Sequence, residues 1–183
     1  MKKHMLQSRL RFSLSSILII VILNTCSQDE DRGYIVKVGQ TAPDFSVLTT
    51  DGKVFKLSEN MGKVIMLQFT ASWCSVCRKE MPHIENEIWQ PLKDKNFVLI
   101  GIDRDEPLDV VSNFAKTIKI TYPLALDPKA AVFSLFAHKD AGVTRNVIID
   151  KQGKIVFLTR LYEEKEFNEM KNAIKSLIIQ DKK

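Results

Sequence analysis

The 183-residue chain contains few cysteines and histidines, three of each, and a single CxxC pair. Structural zinc sites usually need four cysteine or histidine ligands, and only His83 and His138 lie beyond the first 25 residues. A zinc site is therefore disfavoured, and we predict neither a metal nor a cofactor. The sequence also shows no internal repeat, low-complexity tract or evident second domain. With 45% hydrophobic and 27% charged residues, it suits one packed domain.

An excess of positive charge is missing from most of the chain. The formal net charge is +5, but residues 1–25 hold four basic residues and no acidic one. The remainder has 23 basic and 22 acidic residues, so no basic patch is left that would favour nucleic acid. We predict no nucleic-acid partner.

An apolar run long enough to span a membrane is missing too. The stretch "FSLSSILIIVIL" (residues 12–23) follows a basic start. As a helix it would measure roughly 18 Å, against roughly 30 Å for a bilayer core. This pattern predicts a signal peptide over residues 1–25, and an uncleaved anchor is the alternative.

The third cysteine follows this leader. Leu23 precedes Cys26 by three residues, as in a bacterial lipobox, although the two residues between them are not the usual small ones. We predict that Cys26 becomes the lipidated first residue of the mature protein and that residues 26–37 form a flexible tether. The protein would then be lipid-anchored in the bacterial cell envelope and face the periplasm. A leader cysteine with no modification is the alternative.

Alternating strand and helix patterns predict an α/β fold over residues 38–183. "VIMLQF" is almost continuously apolar, as expected for a buried central strand. Because the last two strands form a hairpin across "KQG", the sheet should be mixed. The predicted strands are residues 45–49, 54–57, 64–69, 97–103, 146–150 and 154–160, and the predicted helices are 75–92, 109–119, 128–136 and 163–179.

The stretch "FTASWCSVCRKEMP" (residues 69–82) places the CxxC pair between a predicted strand and a predicted helix. Free backbone N–H groups and the helix dipole favour the thiolate form of a cysteine at a helix N-terminus. The spacing sets Cys77 one turn beyond Cys74, ready to resolve a mixed disulfide. We predict that Cys74 is the nucleophile and Cys77 the buried resolving thiol. The alternatives are half of a zinc site or a structural disulfide, whose small loop would contribute little stability.

The same stretch resembles the active-site segment of the thioredoxin superfamily. Within it, the stretch resembles the pattern W-C-x-x-C-[RK]-x-E-x-P of the membrane-tethered TlpA/ResA-type thiol–disulfide oxidoreductases. The resemblance covers about residues 38–181 and includes "APDF" and "IIDKQGKIV". It implies a three-layer thioredoxin-like fold, with a central mixed sheet flanked by helices and an N-terminal β-hairpin extension. It also implies that the CxxC pair is exposed at a strand–helix junction.

The resemblance implies a proton-handling role for Glu80 near Cys77, because ResA-type proteins carry an acid at this position. An exposed helix carboxylate is the alternative. Gln68 stands where other thioredoxins carry a buried acid, and its amide cannot ionise. This replacement favours Glu80 as the group that moves the proton.

A substrate groove is expected around the CxxC pair, with Trp73 shielding the disulfide and Ser75 and Val76 beside it. The family carries a cis-proline facing the pair, whereas the segment "AGVTRNVIID" has Thr144 there. A cis bond before a residue other than proline costs about 2.5–4 kcal/mol, so we predict a trans bond. Arg145 is a candidate positive charge near Cys74, and an ordinary surface residue is the alternative.

The resemblance implies a thiol–disulfide oxidoreductase that reduces disulfides in other envelope proteins, including the haem-attachment CxxCH sites of c-type cytochromes. An envelope thiol protein would supply its electrons. One alternative is a peroxiredoxin-like thiol peroxidase, which needs Ser or Thr three residues before its cysteine. Here Ala71 precedes Cys74 and Cys74 precedes Cys77 at that spacing. The other alternative is a non-catalytic thioredoxin-fold binding lipoprotein, against which the intact CxxC argues.

Overall fold

A mixed sheet of seven strands lies at the centre of the structure, a computed structural model that describes residues 32–179. The sheet order is β2-β1-β5-β4-β3-β6-β7. β3, β4 and β5 run parallel, and the remaining neighbours are antiparallel. The predicted mixed α/β sheet and its N-terminal hairpin are confirmed. The strands are β1 (Ser46–Thr49), β2 (Val54–Lys56), β3 (Val64–Thr70), β4 (Phe97–Arg104), β5 (Leu124–Asp127), β6 (Arg145–Ile149) and β7 (Ile155–Arg160).

Helices cover both faces of this sheet. They are α1 (Ser75–Ile84), α2 (Gln90–Leu92), α3 (Leu108–Ile118), α4 (Phe133–Phe136) and α5 (Glu164–Ile179), with a π-helical turn at Glu85–Trp89 and 3₁₀ turns at Leu57–Asn60 and Pro128–Ala130. The helix predicted at 75–92 is continuous through the π turn. That turn begins three residues after Pro82, which lacks the N–H for a helical bond.

The central strand β3 is buried along its whole length, as its apolar sequence predicts. Phe69 packs edge-on against Phe133 of α4, with ring centroids 5.4 Å apart. Thr70 donates to Met81 Sδ of α1 at 3.1 Å. Because successive side chains of a strand point to opposite faces, α1 and α4 lie on opposite sides of the sheet. This arrangement is the predicted three-layer architecture.

Two elements differ from the sequence prediction. β5 was not predicted, because its four residues are too few to show a period, yet it lies between β1 and β4. The predicted helix at 128–136 is broken, since Lys129 and Ala130 have positive φ angles of 62° and 52°. The Asp127 carboxylate then accepts the backbone N–H groups of Val132 and Phe133, each at 2.8 Å, and so caps α4.

The described part of the predicted tether, residues 32–37, packs against the domain. Tyr34 and Val36 are buried, and Arg32 pairs with Glu166 of α5 at 2.5 Å. The domain therefore begins before the predicted boundary at residue 38. The predicted signal peptide, Cys26 and the rest of the tether lie outside the described residues. Within residues 32–179, no helix has both the length and the hydropathy to cross a bilayer.

The cap on α4 gives a prediction about stability. Replacing Asp127 by Ala leaves two buried N–H groups without their acceptor, so the free energy of unfolding in urea should fall by about 1–3 kcal/mol. Asp140→Ala, at an exposed loop position, is the matched control and should change it by less than about 0.5 kcal/mol. Equal losses in the two variants would show that the cap contributes nothing specific.

Candidate active site

The candidate site begins where β3 ends and α1 starts. Cys74 is the N-cap residue of α1, with an extended backbone, and its Sγ accepts the backbone N–H of Cys77 at 3.2 Å. The two cysteines form a disulfide, with Cα atoms 5.3 Å apart. Cys74 is 8% exposed and Cys77 is fully buried. The structure thus places the pair at a helix N-terminus, where partial positive charge favours a thiolate.

Thr144 lies directly against the disulfide. Its Oγ1 is 3.0 Å from Cys74 Sγ and 3.2 Å from Cys77 Sγ. The peptide bond before it is trans, like every other peptide bond in the described range. The residue expected in the groove therefore contacts both reactive atoms.

The other groove candidates differ in exposure. Trp73 is 65% exposed and Ser75 is exposed, whereas Val76 is half-buried and packs on the core. Trp73 and Ser75 are adjacent to Cys74 on either side in the chain, so the outer side of the disulfide carries an exposed aromatic ring and a hydroxyl.

Arg145 is buried, so the alternative of an ordinary surface residue is wrong, and it is not part of an exposed groove. Its side chain is 2% exposed, and its guanidinium donates to the carbonyl oxygens of Arg32, at 2.6 Å, and Gly142. It also lies over the Tyr34 ring, 5.1 Å from the centroid. Burial lowers the pKa of Arg145, and no carboxylate within residues 32–179 pairs with it. Through its hydrogen bond to the Gly142 carbonyl, Arg145 thus holds the loop that carries Thr144.

Glu80 is buried on α1, three residues beyond Cys77, and is 1% exposed. Residues three apart share a helix face. Asn146 Nδ2 donates to Glu80 Oε1 at 2.7 Å. Burial raises the pKa of Glu80 to about 7, against the opposing effect of the Asn146 and Gln68 amides. The alternative of an exposed helix carboxylate is therefore wrong.

Polar side chains of the sheet lie next to Glu80. Gln68 on β3 and Asn146 on β6 are cross-strand partners, and Asn146 also donates to Thr159 Oγ1 on β7 at 2.8 Å. The Tyr122 hydroxyl donates to Gln68 Oε1 at 2.7 Å. Although the Gln68 amide influences Glu80, no atom pair between them has hydrogen-bond geometry: within the described chain, Glu80 Oε2 and Gln68 Nε2 lack partners. One carboxyl oxygen of Glu80 thus has no hydrogen-bond partner among the described residues.

A second buried acid was missed by the sequence analysis. Asp103, at the end of β4, pairs in register with Thr70 at the end of β3. It is fully buried, and neither carboxyl oxygen has a hydrogen-bond partner among the described residues. Burial, and then the negative charge of Glu106, raise the pKa of Asp103 to about 8. Glu106 accepts both the backbone N–H and the hydroxyl of Ser72, each at 2.5 Å, and so fixes the segment before Trp73.

These acids could have been found from sequence position. Asp103 ends a predicted buried strand and Glu106 follows that strand, and parallel strands bring their carboxyl ends to one edge of a sheet, where sites form. The CxxC pair follows the neighbouring strand at the same edge.

The arrangement suits thiol–disulfide exchange. It combines a disulfide at a helix N-terminus, a hydroxyl against both sulfurs, and a buried acid one turn beyond. A thiol peroxidase would need a hydroxyl where Ala71 stands, and Ala71 is buried and apolar. In residues 32–179, no three His, Cys, Asp or Glu side chains are grouped so that they could hold a metal ion.

Comparisons with known sequences agree with this chemistry. The pattern of the AhpC/TSA family matches residues 38–158. The thiol–disulfide oxidoreductase ResA of Bacillus thuringiensis subsp. konkukian is 30% identical over 157 residues, which cover 83% of this chain and 88% of that protein. ResA of Bacillus subtilis is 29% identical over 141 residues, covering 76% and 77%.

Solved structures give the same result. A Bacteroides thetaiotaomicron protein, provisionally named a protein disulfide isomerase, superposes with a TM-score of 0.79 at 59% identity, over 80% of this chain and 93% of that one. A thiol:disulfide interchange protein of the thioredoxin family from Chlorobium tepidum superposes with a TM-score of 0.64 at 25% identity, over 78% and 99%. The thioredoxin-like fold is confirmed.

The burial of Asp103 predicts a pH-dependent stability. Its pKa is higher in the folded than in the unfolded chain, so the folded form binds more protons and stability falls as pH rises from about 4 to about 8. Asp103→Asn removes this loss, and its Tm should exceed that of the wild type by about 3 °C or more at pH 9. Below about pH 4 the two proteins should converge. Asp94→Asn, at an exposed position, is the control and should have the wild-type Tm at each pH. If Asp103→Asn and the wild type had the same Tm at every pH, the raised pKa of Asp103 would be contradicted.

Proposed function

We propose that this chain, which belongs to the AhpC/TSA family and is a ResA-like thiol–disulfide oxidoreductase, works as a reductase of disulfides in other proteins of the bacterial envelope. The observation that carries the proposal is the Cys74–Cys77 disulfide at the N-terminus of α1, with Glu80 buried one turn beyond. The reductive direction is supported by the resemblance to the TlpA/ResA-type proteins.

The reaction transfers two electrons from the CxxC pair to the substrate. The Cys74 thiolate attacks one sulfur of the substrate disulfide, a mixed disulfide forms, and the other substrate sulfur leaves as a thiolate that takes up a proton. Cys77 then loses its proton and attacks Cys74, so that the mixed bond breaks and the second substrate thiol is released. The enzyme is left with a Cys74–Cys77 disulfide, and a dithiol protein of the envelope reduces it by the reverse steps.

The two cysteines differ in access, which supports their separate roles. Cys74 is the more exposed residue, and its sulfur accepts an N–H bond at the helix N-terminus. Cys77 is fully buried, so it reacts only with a sulfur already bound to Cys74. Cys74 is therefore the nucleophile and Cys77 the resolving thiol.

Glu80 is the proton carrier for Cys77 in this scheme. As a carboxylate it accepts the Cys77 proton when that thiol attacks, and as an acid it returns the proton when Cys77 leaves. A pKa of about 7 populates both forms near neutral pH. Its free oxygen Oε2 supplies the atom that exchanges the proton.

The substrates that fit this site are proteins with dithiols or accessible disulfides. The exposed Trp73 ring and Ser75 offer a surface for an extended segment next to the disulfide. The haem-attachment CxxCH sites of c-type cytochromes are the substrates that the resemblance to ResA-type proteins favours.

The proposed address is the periplasmic side of the envelope, through a lipid on Cys26. It is supported by the basic and apolar leader over residues 1–25 and by Leu23 three residues before Cys26. Intact-mass analysis of the membrane fraction should find the leader removed and acyl chains on Cys26. A mature protein with an unmodified Cys26 would overturn this part of the proposal.

Trapping of reaction partners should separate the two cysteines. In the reduced chain carrying Cys26→Ser, Cys77→Ala should accumulate a mixed disulfide with a disulfide-containing substrate such as insulin, because the resolving thiol is missing. Cys74→Ala should trap little, because Cys77 is buried. Non-reducing electrophoresis and mass spectrometry measure the adduct. If only Cys74→Ala trapped a partner, the assigned roles of the two cysteines would be reversed. If the wild type failed to reduce insulin, the proposed activity would be contradicted.

Removal of the Glu80 carboxyl should slow exchange and change its pH dependence. Glu80→Gln should lower the rate at which dithiothreitol reduces the Cys74–Cys77 disulfide by about tenfold or more at neutral pH. The inflection near pH 7 in the wild-type rate should disappear, since the group whose pKa is about 7 is absent. The rate can be followed by the fluorescence of the adjacent Trp73. Glu59→Gln, an exposed control, should match the wild type, and an unchanged profile in Glu80→Gln would show that this carboxyl carries no proton.

A further inference from the structure

We propose that Thr144 is a further catalytic residue, whose hydroxyl donates a hydrogen bond to whichever of the two cysteine sulfurs carries the negative charge. One donor would thus serve Cys74 when it is the attacking thiolate and Cys77 when it is the leaving thiolate. The proposal rests on the thiol–disulfide exchange proposed above and assigns a new residue to it.

The hydroxyl is placed for this role by its distances. Thr144 Oγ1 is 3.0 Å from Cys74 Sγ and 3.2 Å from Cys77 Sγ, so a rotation of its O–H bond is enough to change partner. Among residues 32–179 the hydroxyl makes no other hydrogen bond. Its proton is therefore available to sulfur at every stage of the reaction.

The two sulfurs depend on this hydroxyl to different extents. Cys74 Sγ also accepts the backbone N–H of Cys77. For Cys77 Sγ, Thr144 is the one hydrogen-bond partner within the described chain. The buried sulfur would otherwise leave as a thiolate with no donor, which is costly away from water.

The surroundings hold Thr144 in place. It is 3% exposed, its carbonyl accepts the backbone N–H of Leu161 at 3.2 Å, and it directly precedes β6. The next residue, Arg145, pairs with Phe69 of β3 and is fixed by two backbone carbonyls. A donor fixed in a buried site needs no reorganisation when charge develops, which is the condition for electrostatic catalysis.

The electron and proton balance follows from re-reduction of the enzyme. A thiolate of the donor protein attacks Cys74 Sγ, a donor–Cys74 bond forms, and the Cys74–Cys77 bond breaks with its electron pair on Cys77. The Thr144 O–H stabilises that charge until Glu80 supplies the proton. In the reverse direction the hydroxyl stabilises the Cys74 thiolate before it attacks. A proline at this position has neither a hydroxyl nor an N–H, so it could not donate this hydrogen bond to sulfur.

The test compares Thr144→Ser with Thr144→Ala in the full chain carrying Cys26→Ser. The two variants differ by the hydroxyl alone, so loss of packing is the same in both. Thiolate formation in the reduced protein is titrated by its ultraviolet absorbance, and the equilibrium with glutathione is measured in parallel. Thr70→Val is the control, because Thr70 is also a buried threonine, with its hydroxyl on the sulfur of Met81.

Thr144→Ser should keep the wild-type pKa of Cys74, whereas Thr144→Ala should raise it by about one unit, a tenfold loss of the acid dissociation constant. The glutathione equilibrium should shift up to tenfold toward the disulfide, or about 30 mV, because the thiolate loses a stabilising bond. Re-reduction by dithiothreitol should slow about tenfold, and Thr70→Val should show none of these changes.

Equal titrations and rates for the Ser and Ala variants would overturn the role of Thr144 while leaving the oxidoreductase proposal intact, provided that both still reduce insulin. A wild-type chain that formed no reversible Cys74–Cys77 disulfide would instead overturn the proposed function itself. Equal shifts in Thr144→Ala and Thr70→Val would assign the effect to packing and would also contradict the proposal.

Discussion

Burial of the Cys77 sulfur between α1 and the sheet is the constraint on which the site depends. Cys77 is fully buried because α1 begins directly after β3 and packs on the same face as Gln68 and Thr70. This position excludes water from Cys77, whereas Cys74 keeps an exposed fraction of 8%. It also makes each nearby hydrogen bond and charge more effective, because the local dielectric constant is low. The proposed order of reaction, Cys74 first and Cys77 second, rests on this burial.

The groups around the sulfurs favour a negative charge on sulfur. The helix N-terminus and a hydroxyl stabilise a thiolate, and the nearby buried acids carry little negative charge themselves. The helix N-terminus and the Thr144 hydroxyl face the disulfide directly. Burial raises the pKa of Glu80 to about 7 and that of Asp103 to about 8. Near neutral pH, Glu80 is therefore about half protonated and Asp103 is mostly protonated. A developing thiolate therefore meets little like charge. The Arg145 guanidinium is bound to the carbonyl oxygens of Arg32 and Gly142 and so holds the loop that carries Thr144.

Sequence patterns predicted the parts of this structure that depend on local order. The apolar runs of β3 and β4 and the CxxC pair between strand and helix lie where they were expected. Burial of polar side chains could not be predicted in the same way, because it depends on distant partners. The guanidinium of Arg145 donates a hydrogen bond to a carbonyl 113 residues away in the sequence. Glu80 accepts a hydrogen bond from Asn146, which is 66 residues away. β5 escaped detection because a four-residue strand gains its stability from its two neighbours.

The reduction potential of the Cys74–Cys77 pair tests the central claim most directly. The chain carrying Cys26→Ser should be equilibrated with glutathione or dithiothreitol redox buffers and the fraction of disulfide measured by thiol labelling. The account predicts a reversible two-electron transition nearer to the thioredoxin value of about −270 mV than to the value of about −120 mV for the strong oxidant DsbA. A potential near about −120 mV would make the protein a disulfide donor and reverse the proposed direction of electron flow. The absence of any reversible transition would contradict the redox role of the pair.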